Sequence, residues 1–198
     1  MNLNPYSPPQ TALDQRSPGE GTNPSKSEFY VVSRRKFFLL FYLTLGFYDY
    51  YWFYRNWAIY KARTGESIWP VMRGIFPIFF VWSLFAGVDR SLKRGQQTHF
   101  FNHARLGSVY VVASVVGHAC NKLSDKNIGS PYTDWIPLAV FITLGYTLWQ
   151  AQKAINIACN DPQGESNSSL TWANYSWMGA TLLIVALTLY AIVSGVAD

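Results

Sequence analysis

Five apolar segments, each set off by polar or basic links, constrain this chain more than any other feature. They cover residues 37–57, 70–92, 106–121, 135–157 and 172–196. A helix needs ~20 mostly apolar residues to cross a ~30 Å hydrocarbon layer. The second, fourth and fifth segments reach that length, and the first and third only just do. None alternates polar and apolar positions as the strands of a membrane barrel would. The expected fold class is therefore all-α, an integral membrane helical bundle with five transmembrane helices over residues 34–198. An alternative keeps four crossings and folds the aromatic first segment back as a re-entrant element.

Charge supports a lipid environment. Only 14% of the residues are charged, against ~25% in an average soluble domain. The net charge of +5 fits either nucleic acid or anionic lipid. The cations cluster beside apolar runs, "SRRK" directly before Phe37 and "DRSLKRG" at the end of the second run. No nucleic-acid-binding pattern accompanies them. The expected partners are the bilayer, with a membrane protein or a second copy of the chain, and not nucleic acid.

Residues 1–33 hold neither an apolar core nor a cleavage site of the signal-peptide kind. Five prolines among Ser, Gly, Asn and Gln predict a disordered cytoplasmic tail. With five crossings and a cytoplasmic N-terminus, ten Lys and Arg fall inside and six outside. If the aromatic segment folds back, the count becomes eleven and five. Within the second segment, Pro77 deprives the Arg73 carbonyl of its helical partner and predicts a kink.

The runs "RRKFFLLFYLTLGFYDYYWFYRNW", "IWPVMRGIFPIFFVWSLF" and "WQAQKAINIA" resemble a family of uncharacterised multi-pass bacterial inner-membrane proteins. The resemblance spans about residues 33–160 and rests on a T-L-G-x-Y…Y-W-F-Y-R-N-W run and a P-x-x-R-x-x-F segment. It implies a bacterial cytoplasmic membrane and no particular activity.

Candidate functional residues are few. Asp49 is the sole carboxylate in the 37–57 run. On one continuous helix it shares a stripe with Tyr42, Gly46, Phe53 and Asn56. An intramembrane carboxylate costs ~2.5–3.5 kcal/mol and usually has a partner or a function. Depth along the expected helices brings Asp49, Arg73 and His118 to one level, as an intramembrane polar cluster. The expected role of Asp49 is packing and pairing in the outer leaflet; a proton or substrate role is the alternative. Gln150, Gln152 and Asn156 form a second candidate, a polar helix face suited to interhelical hydrogen bonds or a pore lining. His99 and His103 have a spacing that fits a metal, with no further ligand nearby in sequence.

Cys120 and Cys159 form no redox motif and are expected at opposite membrane faces, unpaired. No metalloprotease, phosphate-loop, nucleophile-elbow or dinucleotide motif is present. No catalytic residue and no cofactor is expected. The reading is a non-enzymatic membrane protein acting through partners or lipids, with a small transporter or channel component as the alternative.

Overall fold

Residues 27–195 are described by the computed structural model. They form seven α-helices and no strand: α1 Arg34–Leu43, α2 Tyr48–Thr64, α3 Pro70–Ile75, α4 Pro77–Arg94, α5 His103–Ser124, α6 Tyr132–Ala158 and α7 Trp172–Val193. The tail expected to be disordered lies outside the described residues up to residue 26. Its last part does not behave as a tail, because Phe29, Tyr30, Val31 and Val32 are buried in the core.

The aromatic run is not one helix, which corrects the stripe drawn through Asp49. α1 stops at Leu43, and the chain reverses over residues 44–47. The Gly46 N–H donates to Phe41 O and the Leu45 N–H to Tyr42 O, the paired closure that ends a helix on a left-handed residue. That residue is Leu45, at φ +50°, and Gly46 follows at φ +86°. Thr44 locks the turn by donating Oγ1 to Leu40 O and accepting from the Tyr48 N–H. α2 then runs back beside α1, so that the Phe37 ring meets Tyr48 and the Tyr30 N–H meets Asn56.

The second run also breaks in two, at Phe76, which has φ −115° and ψ 57°. The break falls where Pro77 predicts it, since proline lacks the N–H and crowds the preceding turn. α3 runs beside α2, with Gly74 against the Tyr54 backbone, and α4 returns with Gly87 against the Tyr60 ring. The result is a second short hairpin.

α5 and α6 form the long pair, of 22 and 27 residues, or about 33 and 40 Å at ~1.5 Å per residue. They approach closely where Gly117 faces Val140, and α5 meets α4 where Gly107 lies under the Trp82 indole. The core between them is aromatic and aliphatic, built on Phe37, Phe41, Trp52, Phe53, Phe85, Leu148 and Ile155.

α7 differs from the rest. It is the helix, among the described residues, that is long and apolar enough to cross a membrane. Met178 is its one buried side chain, while Leu183, Leu187 and Val193 stand 60%, 59% and 87% exposed. The all-helical class expected from the sequence is thus met by seven helices of very unequal length and polarity, one of which is apolar enough to cross a membrane.

Candidate functional site

The turns of both short hairpins open onto one cleft of about 490 Å³. Its walls are Gly46, Phe47 and Asp49 from the first hairpin and Phe76 and Pro77 from the second. Tyr110, Ser114 and His118 of α5 and Pro137, Val140 and Phe141 of α6 complete it. The lining is mainly apolar, with one cluster of polar groups.

Asp49 is the chemical centre of that cluster. It stands in the first turn of α2, where the unpaired N–H groups of a helix start favour negative charge. Its Oδ2 accepts a 2.6 Å hydrogen bond from the Tyr110 hydroxyl. Its Oδ1 is buried without a protein partner among the described residues. The expected partners are not the observed ones. The Arg73 guanidinium lies over the Trp57 ring at 4.3 Å and near Phe80 at 5.1 Å, a pair of cation–π contacts. His118 does line the same cleft as Asp49, from an exposed position on α5. The structure therefore brings Asp49 and His118 to one cavity and leaves Arg73 out of it.

Tyr110 is the site residue that sequence reasoning missed. Its signal is the buried stripe Gly107, Tyr110, Ala113, Gly117 and Cys120 along α5. Small residues every three or four positions mark the face that packs on neighbours, and the one large polar residue on such a face points at a partner.

The second candidate group is divided as well. Gln152 and Asn156 are fully buried, and Gln150 is only partly so. Asn156 Nδ2 donates to Val32 O and its Oδ1 accepts from the Val32 N–H. Gln152 Nε2 donates to Tyr30 O and to Asn156 Oδ1, and its Oε1 accepts from the Trp52 indole. Asn56 accepts from the Tyr30 N–H on the other side. With Asn167, whose Nδ2 donates to Val31 O, four side-chain amides thus replace the strand that an extended backbone would otherwise need. Gln152 and Asn156 hold residues 29–32 and are not among the residues lining the cleft around Asp49.

His99 and His103 do not form a metal site, and no group of metal-binding side chains occurs among the described residues. His103 Nδ1 lies 3.5 Å from Asp89 Oδ2. Burial, and secondarily the charge of Lys153, push His99 below its ordinary pKa. Cys120 and Cys159 are both free thiols. Compared with known proteins, the chain matches no family model, no curated protein and no solved structure.

Proposed function

We propose that this chain is a multi-pass membrane protein without chemistry of its own, a scaffold that engages lipids or membrane partners at the cleft between its hairpin turns and the α5–α6 pair. The observation that carries this reading is α7, a 22-residue apolar helix with almost no protein cover. Such a surface is costly in water and costs nothing in hydrocarbon. In this reading α5, α6 and α7 cross, while α1–α2 and α3–α4 enter and return to the cytoplasmic face. The distribution of cations supports it. Of sixteen Lys and Arg, only Lys122 and Lys126 stand at the α5–α6 turn, the asymmetry expected of a cytoplasmic N-terminus.

A scaffold is favoured over a transporter because the polar groups are taken up locally. Gln152 and Asn156 are committed to residues 29–32 and Arg73 to aromatic rings, while Asp49 gives one carboxylate oxygen to Tyr110 and keeps the other without a protein partner among the described residues. A conducting path needs such groups to converge on one solvated cavity.

Topology is tested with single cysteines in a Cys120→Ser, Cys159→Ser background, using a membrane-impermeant maleimide. Ser67→Cys, between α2 and α3, is expected to label only from the cytoplasmic face, and Lys126→Cys only from the opposite one. Outside labelling of Ser67→Cys restores the five-crossing arrangement. The scaffold role is tested by Asp49→Asn, which is expected to preserve both abundance and the phenotype of the intact gene. A stable, abundant Asp49→Asn protein with a null phenotype replaces the scaffold by proton or cation transfer.

A further inference from the structure

A smaller recess of about 180 Å³ lies where α1 and α7 begin, lined by Arg35, Lys36, Leu39, Ser168, Ser169 and Tyr175, with Leu170 at its rim. Its chemistry is unlike that of the main cleft. Lys36 is only 3% exposed, although it is a lysine in a run of three cations. Its ammonium donates to Asn167 Oδ1 at 2.6 Å and to Ser169 O at 2.8 Å. Both acceptors are neutral, and among the described residues no carboxylate lies within ion-pair distance of it.

A buried ammonium without a counter-charge is costly, because two hydrogen bonds to neutral oxygens replace only part of its hydration. An ammonium carries three donors, so one remains for a ligand. Arg35 adds a planar, permanently charged group suited to phosphate oxygens. The first turn of α1 carries no acidic residue to compete. The carboxylates of the nearby link are set aside: Asp161 caps the 3-10 turn by accepting from the Glu165 and Ser166 N–H groups, and Glu165 does not line the recess.

We infer that this recess is an anion site that takes a phosphate group, with Lys36 and Arg35 as its cations and the Ser169 hydroxyl as a neutral donor, the Ser168 hydroxyl being spent on Glu165 O. The apolar side chains of Leu39 and Leu170 beside these cations fit a phospholipid headgroup whose chains run along the α1–α7 seam. Basic pockets between helices at the cytoplasmic surface are suited to such headgroups. The lipid assignment rests on the membrane reading above; the phosphate chemistry does not.

The test uses the full chain purified in a non-ionic detergent, with lipid retention read by native mass spectrometry and stability by thermal unfolding. Phosphatidylglycerol, phosphatidylcholine and inorganic phosphate are added separately. The expected result is retention of phosphatidylglycerol over phosphatidylcholine, with a matching rise in the unfolding midpoint. Arg35→Gln changes an exposed side chain and should leave the fold intact. It is expected to weaken retention about five-fold, the factor one cation facing an anionic headgroup carries. Arg90→Gln, an exposed cation of α4 outside the recess, should leave retention unchanged. A rise with inorganic phosphate alone, abolished by Arg35→Gln, supports the site with a soluble source. Equal retention of both lipids with no phosphate effect overturns the inference, as does equal weakening by both variants. A chain that labels as expected at Ser67→Cys but binds no anion sinks this inference alone.

Discussion

α6 and α7 are both long helices that read as membrane spans in the sequence, yet the structure uses them in opposite ways. The second half of α6 buries Leu148, Ala151, Gln152, Ala154, Ile155 and Asn156. α7 buries Met178. The helix with the most apolar sequence is the one with the least protein around it. Packing requires small residues for close approach and amides for backbone groups, and both lower a helix's apolar character. High apolarity thus marks the surface that the rest of the protein leaves uncovered.

The largest expected effect tests the buried half of that contrast. Asn156→Leu strands the Val32 N–H and C=O in the core, and each orphaned group costs about 1–3 kcal/mol. A loss of roughly 3 kcal/mol or more is expected, read as reduced folded yield and a lowered thermal midpoint in detergent. Leu187→Ala on exposed α7 should change stability by less than ~0.5 kcal/mol. If the two variants behave alike, α7 is packed in a way the comparison denies.

Glycine substitutions sharpen the contrast. A Cβ at Gly107 would lie 2.5 Å from the Trp82 ring, whereas a Cβ at Gly179 meets nothing within 4 Å. Gly107→Ala should destabilise by about 1–3 kcal/mol through overpacking. Gly179→Ala should be neutral or stabilise by up to ~1 kcal/mol, the helix preference of alanine over glycine. Thermal unfolding of the pair decides between them.

A smaller effect is expected at the cleft. Tyr110→Phe removes the hydroxyl that donates to Asp49, at a cost of about 0.5–1.5 kcal/mol, the net worth of an ordinary intramolecular hydrogen bond. Tyr110→Phe should then have little further effect in an Asp49→Leu background, and a double-mutant cycle measures this coupling directly. Additive losses would mean that the two side chains act independently.

The smallest predicted change runs the other way. Leu45 holds φ +50°, a conformation that costs an ordinary residue ~1–2 kcal/mol. Leu45→Gly should raise stability by about 0.5–1 kcal/mol, measured as a higher midpoint with unchanged helix content. A lower midpoint would show that the Leu45 side chain contributes more than its backbone strain removes.

These cases also explain what could be read from the sequence. The runs expected at 106–121 and 135–157 lie on α5 and α6, and α7 covers 172–193 of the last, because long apolar stretches and flanking polar links mark them directly. A kink before Pro77 was legible, because proline leaves the Arg73 carbonyl without its helical partner, although Pro137 inside the continuous α6 shows that proline alone does not force a full break. The reversal at residues 44–47 was legible only as the alternative that folds the aromatic segment back; its place was not, since the left-handed position is filled by a leucine and the adjacent Gly46 looks equally suited to a close helix contact. The burial of residues 29–32 was hidden for another reason. Four apolar residues after a proline-rich stretch become core only because amides more than a hundred positions away satisfy their backbone. At the candidate site, Asp49 was conspicuous as a lone charge. Its partner Tyr110 was one tyrosine among thirteen, and only the fold selects it.

The clasp on residues 29–32 also sets a clock. Val32 and Asn156 are separated by 124 positions, and synthesis proceeds at ~5–20 residues per second. The N-terminal segment therefore emerges from the ribosome roughly 6–25 seconds before the amide that pairs Val32, and Asn167, which bonds Val31 O, follows later still. During that interval Asn56, only 26 positions from Tyr30, is the one polar clamp already made. The first hairpin must wait half-satisfied until α6 arrives, which makes the delivery of α6 the event that commits the whole chain to its shape.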